Sequence, residues 1–430
     1  MNQKFSSTAL AALLLAGLVT SPTTSTRAAN ALPPDARVAI IGDSITEQKL
    51  YSKFMEAYLV ACTGRNDIKC FQFGWGGETA SGFASRLEND LAAFQPTVAT
   101  TCYGMNDGGY QPFNEGVGKR YEDNMRLVVK KLVAAGVKHV VVGTPGAVDT
   151  KYFGTRASFG AVNSADGYNA SLAQLGGISR KLGTEFNQGF ADVHGAMIGA
   201  MTKAKASLGD AYDVCGRDGF HPGPNGHLVM AYAFLKGLGV DGNIGEITVD
   251  LNGATTATDG HKVLGKAGAG VEIESTRYPF CFDGDAKNSG GTRSIAPFFP
   301  FNQDLNRFTL KVKNLTAAKA KVTWGKETKE FSAEQLAAGI NLAAEFSATP
   351  FDAAFGNVLN AIAAKQNFET TMIKGVITGF RNLPAEVKND AETAAALNVI
   401  RKRLSARQEA MDADVRKALV PVKHTLTVAQ

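Results

Sequence analysis

The sequence predicts an α/β domain built on a parallel sheet, followed by an antiparallel β unit and two long helices. Three patterns support this prediction. From Arg37 to about Val240, short apolar runs alternate with segments in which apolar residues recur at helical spacing. After Val240, polar and apolar residues alternate at a period of two up to about Phe346. Two long stretches at helical spacing and a short terminal strand complete the chain.

In the first domain, a strand–helix unit repeats along the chain. Its apolar runs are continuous rather than alternating, which is typical of strands that are covered on both faces of a parallel sheet. The predicted strands lie in the segments RVAIIG, IKCFQFG, TVATTCYG, KHVVVGTPG and EFNQGFADV. Because substrates bind beyond the carboxyl ends of parallel strands, we expect the functional residues to follow these runs.

The remaining segments predict a different architecture. The runs GEITVDLNG, AGVEIES, RFTLKVKNL and AKVTWGKETKEFS indicate a small antiparallel sandwich. Residues 351–380 and 384–419 are separated by RNLP and predict a helical hairpin. The closing VPVKHTLTV predicts a strand that returns to the β unit. We therefore divide the chain into residues 1–29, 30–242, 243–346, 347–420 and 421–430.

Residues 1–29 have the pattern of a secretory signal peptide. Lys4 precedes the apolar run STALAALLLAGLVT, and small residues surround Ala28 to Ala31. This run is shorter than the ~20 residues that span a bilayer, so a membrane anchor is the weaker interpretation. We expect the mature protein to begin near Asn30 or Leu32 and to be secreted or periplasmic. No other segment predicts a membrane span.

Composition narrows the classes of function. A chain of 430 residues is too long for one core of ordinary size, and its apolar share of 44% suits a folded protein. The net charge of +5 is small, and Lys and Arg are dispersed rather than gathered on a stripe. Because binding along phosphates needs a basic face, we expect no nucleic-acid partner. The sequence leaves the oligomeric state open.

The stretch GDSIT ends the first predicted strand and places Ser44 at the start of a helix. Gly42 allows a sharp turn where a side chain would clash. Free N–H groups at a helix start favour negative charge, so an acyl-transfer enzyme can place its nucleophile there, beside the developing oxyanion. A turn with an N-cap serine has the same local sequence. From this stretch alone, both interpretations stay open.

A serine nucleophile needs a general base, and the loop CGRDGFHPGPNGH offers a histidine for that role. Asp218 precedes His221 by three residues, so its carboxylate can hold the imidazole in the tautomer that accepts the serine proton. A solvated loop histidine is the alternative for His221. We expect the nearby His227, which enters the next helix, to pack or cap.

Two further stretches offer donors for an oxyanion. In FGWGGETASG, the backbone N–H of Gly77 can point into a site at the end of the second strand. In YGMNDGG, the amide of Asn106 can donate a further hydrogen bond. An ordinary glycine-rich turn and an Asx turn are the alternatives.

Together these blocks resemble, in order, the four blocks of the SGNH (GDSL-type) hydrolase superfamily. The matching stretches are GDSIT, GWGGET, GMND and DGFH, which lie within roughly 37–240, about half of the chain. The resemblance implies a flavodoxin-like three-layer α/β/α fold and ester hydrolysis that needs neither a metal ion nor another cofactor. The cysteines agree with the absence of a metal, because no CxxC pair or nearby histidine cluster accompanies them.

The same resemblance assigns roles to five residues. Ser44 is the implied nucleophile, His221 the base and Asp218 the residue that orients it. The implied oxyanion hole comprises the backbone N–H groups of Ser44 and Gly77 and the side chain of Asn106. In one departure, many members carry Asn two residues before the first glycine of the second block, where this chain has Gln72. For this reason Gly76 is an alternative to Gly77.

The expected partner is an ester substrate, and we expect an acetylated carbohydrate because an attached β domain suits an extracellular polymer. Lipid or lysophospholipid esters and aryl esters are the alternatives. A non-catalytic surface or scaffold protein is the rival from another class. Trp75 and Tyr110 flank the predicted site, where they either stack on a sugar ring or pack; for Trp75 we favour packing.

The five cysteines permit disulfides if the protein is exported, and their odd number leaves at least one unpaired. Cys102 lies in an apolar run and is expected to be a buried thiol. Cys62 and Cys70 are close enough in sequence to bridge. We predict a bridge between Cys215 and Cys281 that ties the β unit to the histidine loop; two unrelated buried thiols are the alternative.

Overall fold

The structure is a computed structural model that describes residues 32–154 and 164–430. The predicted signal peptide, residues 1–29, lies outside the described residues. No helix in the described ranges has the length and apolar character that crossing a bilayer requires.

A parallel five-stranded sheet forms the centre of the first domain. Its strands are β1 (Arg37–Gly42), β2 (Lys69–Gly74), β3 (Val98–Cys102), β4 (His139–Gly143) and β5 (Gly189–Ala191). They lie in the spatial order β2-β1-β3-β4-β5, which is that of flavodoxin-like doubly wound folds. The carboxyl ends of β1, β2 and β3 therefore meet at one edge of the sheet.

Helices cover both faces of this sheet. They are α1 (Ser44–Glu47), α2 (Tyr51–Ala57), α3 (Ala80–Leu91), α4 (Glu115–Ala134), α5 (Ala165–Glu185), α6 (Val193–Leu208) and α7 (Pro224–Gly237), and α2 continues into a π-helical turn at Tyr58–Cys62. Val38 and Ile40 of β1 enter one apolar core with residues of α2, α6 and α7, whereas Ala39 and Ile41 enter another with residues of α3 and α4. The predicted three-layer α/β/α fold is confirmed.

Two further sheets follow. Their strands are β6 (Asn243–Asp250), β7 (Thr256–Ala257), β8 (His261–Ala267), β9 (Gly270–Ser275), β10 (Arg307–Lys313), β11 (Lys319–Trp324), β12 (Glu327–Ser332), β13 (Ile340–Asn341) and β14 (Val422–Ala429). The first sheet has the order β13-β10-β6-β7 and the second β12-β11-β14-β9-β8. The terminal strand β14 lies in the second sheet, antiparallel to both β9 and β11.

The expectation of a purely antiparallel β unit is wrong at one position. Strands β6 and β10 pair in parallel. Between them the chain passes through β8 and β9 of the other sheet, which gives the long crossover that parallel neighbours need. An alternating sequence pattern indicates one buried face and carries no information on strand direction, so this pairing could not be predicted from it.

A buried chain of hydrogen bonds links the two sheets. Trp324 Nε1–H donates to His424 Nδ1 at 3.1 Å, so His424 Nε2–H donates to Ser275 Oγ at 2.9 Å. The Ser275 hydroxyl then donates to His261 Nδ1 at 2.8 Å, and His261 Nε2–H to the Ile244 carbonyl at 3.0 Å. Burial lowers the pKa of His424 to about 3 and that of His261 to about 4. Both rings are neutral structural groups at neutral pH.

Six helices accompany the later strands: α8 (Phe301–Leu305), α9 (Ala333–Ala338), α10 (Leu342–Glu345), α11 (Asp352–Gly375), α12 (Ala385–Asn389) and α13 (Ala391–Ala418), all within the described residues. The long helices α11 and α13 pack against each other, and α11 also packs against α2 and the edge strand β2. We call α11, α12 and α13 the helical hairpin. The boundaries predicted at residues 242, 346 and 420 fall between elements, and the division into domains stays a prediction.

The predicted disulfide is wrong. All five cysteines are free and buried. The Cys281 sulfur lies 3.5 Å from Thr349 Oγ1 and 3.4 Å from the Pro279 carbonyl oxygen, so it contacts the segment before α11 rather than Cys215. Sequence distance does not report the Cα separation that a bridge requires. Burial raises the pKa of the Cys215 and Cys281 thiols well above the ordinary value.

The hairpin binds the first domain through a fully buried ammonium group. Lys365 Nζ donates to the Cys70 carbonyl of β2 at 2.7 Å and pairs with Glu56 of α2 at 2.5 Å. Glu369 and Asp412 each place an oxygen 3.5 Å from the same nitrogen. Burial lowers the pKa of Lys365, but these carboxylates raise it by more, so the ammonium form persists.

We predict that Lys365→Met destabilises the protein by about 3–5 kcal/mol, because it leaves the buried Glu56 carboxylate without its cation. Urea unfolding followed by circular dichroism measures the loss. The destabilisation shrinks at lower pH, where the orphaned carboxyl groups take up protons.

Lys417→Met is the matched control for this prediction. Lys417 is also on the hairpin, but it forms an exposed ion pair with Asp414 and exposed pairs contribute little. Equal unfolding curves for Lys365→Met and Lys417→Met would contradict the anchoring role of Lys365.

Candidate active site

Ser44 stands at the carboxyl end of β1, as the first residue of α1. The N-cap is Asp43, whose carboxylate accepts the Ile45 N–H at 3.0 Å, so the interpretation of Ser44 as an N-cap is wrong. Gly42 is required by close packing, because a Cβ there would lie 2.1 Å from Thr46 Oγ1. The Ser44 hydroxyl is thus free to bond outside its own helix.

That hydroxyl lies within hydrogen-bonding distance of the loop that carries Asp218 and His221. Ser44 Oγ lies 2.8 Å from His221 Nε2, across 177 residues of sequence. His221 Nδ1 lies 2.6 Å from Asp218 Oδ2. Since the carboxylate accepts the Nδ1 proton, the lone pair on Nε2 faces the serine hydroxyl. The structure therefore brings together the three residues that the sequence singled out.

The loop between Asp218 and His221 is shaped by its own hydrogen bonds. Asp218 Oδ1 accepts the backbone N–H groups of Phe220 at 3.1 Å and His221 at 3.0 Å. Gly216 has a positive φ of 80°, and a Cβ there would lie 1.9 Å from the His221 carbonyl oxygen. Burial raises the pKa of Asp218, but hydrogen bonds from His221 and Phe220 lower it by a larger amount, so the pKa is about 2. Asp218 is therefore an anion throughout the neutral pH range.

His227 has the structural role that was expected of it. Its Nδ1 accepts the Tyr51 N–H at 3.2 Å, so its Nε2–H donates to Gln48 Oε1 at 3.0 Å. Burial lowers the pKa of His227 to about 3. Both ring nitrogens are thus occupied, and the ring is neutral.

The second block supplies one free backbone donor. The Gly76 N–H donates to Glu47 Oε2 at 2.5 Å. Within the described residues, the N–H groups of Gly77 and Ser44 donate to no protein acceptor. Gly77 has a φ of 72°, a left-handed conformation that favours glycine. Of the two alternatives for the oxyanion donor, the geometry favours Gly77.

In the third block, GMND, two hydrogen bonds hold the side-chain amide of Asn106, one at its nitrogen and one at its oxygen. Its Nδ2 donates to the Glu78 carbonyl at 3.0 Å, and its Oδ1 accepts the Tyr110 hydroxyl at 3.3 Å. One amide N–H is left for another acceptor. The neighbouring Asp107 accepts the N–H groups of Ala80 and Gly104, each at 3.0 Å, and so ties the second block to the third.

Several supporting residues were missed by the sequence analysis. Glu78 is buried and pairs with Arg86 at 2.7 Å while it accepts the Tyr103 hydroxyl at 2.7 Å. Asp107 and Glu47 hold backbone N–H groups, as described above. The sequence does show acidic residues beside the four blocks. Spacing alone, however, does not distinguish a solvated carboxylate from a buried one that holds neighbouring groups by hydrogen bonds.

Both flanking aromatic residues have packing partners. The Trp75 ring faces the Arg86 guanidinium at 4.9 Å and the Lys374 ammonium at 4.7 Å, measured to the ring centroid. The Tyr110 ring stacks on Tyr168 at 5.2 Å and on Phe153 at 6.4 Å. Neither ring therefore offers two open faces to a sugar.

In the described residues, no group of three or more His, Cys, Asp or Glu side chains is arranged to hold a metal ion. The donors of this site are a hydroxyl, an imidazole, a carboxylate, an amide and backbone N–H groups. These groups are suited to activating a serine and to stabilising an oxyanion.

A family model and a solved structure resemble this chain. Residues 40–229, just under half of the chain, match the model of the GDSL-like lipase/acylhydrolase family. A gut microbial diltiazem-metabolizing enzyme is 21% identical, and the likeness covers 94% of this chain and 100% of that one with a TM-score of 0.69. The match extends past residue 240, so the same fold includes the β unit and the hairpin. No curated protein matches the chain.

Two solved structures resemble a smaller part. Axe2, an acetylxylan esterase from Geobacillus stearothermophilus, is 22% identical over 48% of this chain and 96% of its own, with a TM-score of 0.39. LAE5, an alpha/beta hydrolase enzyme from the metagenome of Lake Arreo in Spain, is 22% identical over 49% of this chain and 98% of its own, with a TM-score of 0.39.

Proposed function

We propose that Ser44 is the nucleophile of a serine esterase, a proposal supported by the match of residues 40–229 to the model of the GDSL-like lipase/acylhydrolase family. The observation that carries this proposal is the unbroken hydrogen-bond chain from Ser44 through His221 to Asp218. His221 Nε2 takes the hydroxyl proton as Ser44 Oγ bonds to the ester carbonyl carbon. The ester C–O bond then breaks, and the leaving alcohol receives that proton.

Water completes the reaction by the same route. His221 removes a proton from a water molecule as the water oxygen attacks the acyl-enzyme. The Ser44 oxygen then leaves with that proton. Asp218 holds the ring orientation throughout and stabilises its charged form. The products are a carboxylic acid, an alcohol and the free enzyme.

Both steps pass through a tetrahedral intermediate that carries a negative oxygen. We assign its stabilisation to the N–H groups of Ser44 and Gly77 and to the free amide N–H of Asn106. Among the residues that the structure describes, no acceptor competes for these donors, so they need no rearrangement when charge develops. The completeness of the set argues against a degenerate scaffold, which would have no need to retain it.

For the substrate, we propose an acetyl ester on a carbohydrate. The site lies at an open edge, where the side chains of His221 and Asp218 are 29% and 20% exposed and Gly76 and Gly77 are exposed. A polymer can reach such an edge. Tyr110, Tyr168 and Phe153 stack on one another beside Asn106, so their rings fill space that a long acyl chain would need. Export, predicted from residues 1–29, would bring the enzyme to extracellular polymers.

We predict that Ser44→Ala lowers turnover of p-nitrophenyl acetate by ~10³-fold or more, because no hydroxyl remains for His221 to activate. A serine-reactive fluorophosphonate should label the parent at Ser44 and leave Ser44→Ala unlabelled, as mass spectrometry of tryptic peptides will show. Full activity in a folded Ser44→Ala variant would overturn the proposed nucleophile.

Asn106→Ala should lower kcat by ~10²–10³-fold with little change in KM, because the amide acts on the oxyanion and not on the bound ester. Tyr110→Phe is the matched comparison: it keeps the amide but removes one of the two hydrogen bonds that hold it, so it should cause a smaller loss than Asn106→Ala. A rise in KM alone would make Asn106 a residue that positions the substrate.

Substrate preference has its own test. With a shared leaving group, p-nitrophenyl acetate should give a higher kcat/KM than p-nitrophenyl octanoate, and acetylated oligosaccharides should release acetate in a parallel assay. Ser44→Ala controls for background hydrolysis. Octanoate preferred over acetate would favour a lipid esterase, whereas activity on the aryl acetate without release from oligosaccharides would favour an aryl esterase.

A further inference from the structure

A residue of the helical hairpin, Lys374 of α11, helps to hold the loop from Trp75 to Gly77 in the first domain. Glu47 Oε2 accepts the Gly76 N–H at 2.5 Å, and Glu47 Oε1 pairs with the Lys374 ammonium of α11. The same ammonium lies 4.7 Å from the centroid of the Trp75 ring. Lys374 therefore acts on the loop in two ways. It acts indirectly through the Glu47 carboxylate and directly through the face of the Trp75 ring.

Glu47 is placed where it can transmit this contact. It is the last residue of α1, the helix that Ser44 begins. Its carboxylate thus links the helix of the nucleophile to the loop of the second block. The side chains of Glu47 and Lys374 are only 25% and 28% exposed, so the pair is less screened by solvent than a surface ion pair.

The position of Lys374 is fixed by the rest of its helix. Nine residues earlier, Lys365 is fully buried against Cys70 and Glu56, and Glu369 accepts the Gln72 N–H of β2 at 3.0 Å. These contacts prevent α11 from sliding along the edge strand. Lys374, in the last turn of α11, is consequently held at the carboxyl end of β2.

We propose that Lys374 is a positioning residue for ester hydrolysis, acting through Glu47 to keep the Gly76–Gly77 loop in the shape that presents the Gly77 N–H. This inference rests on the proposed function, in which that N–H binds the oxyanion. Without the Lys374 ammonium, the partly buried Glu47 carboxylate would lose its ion pair, while the Lys49 ammonium donates to the Glu47 backbone carbonyl at 2.7 Å. The carboxylate would then gain from turning to water. The Gly76 N–H would then lose its acceptor, and the left-handed Gly77 would be free to rotate.

The test compares four variants with the parent on p-nitrophenyl acetate. Lys374→Met keeps the length and packing of the side chain but removes its charge, and Lys374→Arg restores the charge. Lys417→Met, whose parent residue forms an exposed pair with Asp414, controls for loss of a hairpin lysine. Glu47→Ala removes the carboxylate that transmits the effect.

We expect Lys374→Met to lower kcat about tenfold at nearly constant KM, short of the ~10²–10³-fold that loss of a whole oxyanion donor causes. Lys374→Arg should recover most of that activity, and Lys417→Met should match the parent. The rate of phosphonylation by the fluorophosphonate should fall in parallel with kcat, since that reaction also develops charge on an oxygen at the site. The midpoint of thermal unfolding reports whether Lys374→Met is folded.

A double-mutant cycle separates transmission through Glu47 from a general effect of charge. Adding Lys374→Met to Glu47→Ala should cause a much smaller loss than Lys374→Met causes in the parent, because only the contact with the Trp75 ring is left to remove. Independent, multiplying losses would overturn the proposal, and so would an unchanged kcat in folded Lys374→Met. Failure of the proposed function looks different: Ser44→Ala would then stay active whatever the Lys374 variants do.

Discussion

The Lys365 ammonium is the constraint on which the arrangement of the chain depends. Its side chain has no exposure to solvent, so it must be paired where it lies. Its partners outside α11 come from three places: Glu56 on α2, the Cys70 carbonyl on β2, and Asp412 on α13. Moving the hairpin away would leave several buried charges without partners. The hairpin and the catalytic domain therefore form one structure.

The same contacts also cover the exposed edge of the parallel sheet. Strand β2 is an edge strand, and an exposed edge invites pairing with other chains. Side chains of α11 bind the outward groups of that edge: Lys365 binds the Cys70 carbonyl, and Glu369 binds the Gln72 N–H. The Gln72 side chain in turn donates to the Thr46 carbonyl at 2.6 Å. The residue that departs from the family pattern thus joins the hairpin-covered edge to the helix of Ser44.

How much the sequence could predict follows from the range of each interaction. Ser44, Asp218 and His221 were predictable because each follows a strand end or lies in a glycine-rich loop, and parallel strand ends meet at one edge. The parallel pairing of β6 with β10 was not, because alternation carries no direction. Glu47 and Lys374 lie 327 residues apart, and their contact depends on how α11 docks on β2. A single sequence gives no signal for such docking.

The β unit gains a role from the route of the chain. The hairpin leaves the β unit after α10 and returns to it as β14, which lies between β9 and β11. Both ends of the hairpin are therefore fixed in the β unit. That unit is itself held to the π-helical turn after α2, where the Tyr58 hydroxyl donates to the Leu305 carbonyl at 2.5 Å and the Tyr278 N–H to the Ala61 carbonyl at 2.9 Å.

An ester site at the end of β1 and β2 is thus braced by segments that contribute no reacting group. The β unit fixes the ends of the hairpin, and Lys365 fixes the middle of α11. The last turn of α11 then has little freedom, which is the condition for a single lysine to set the shape of a loop. The hairpin and the histidine loop reach the site by different routes, because α11 covers the β2 edge while His221 approaches Ser44 from the loop before α7.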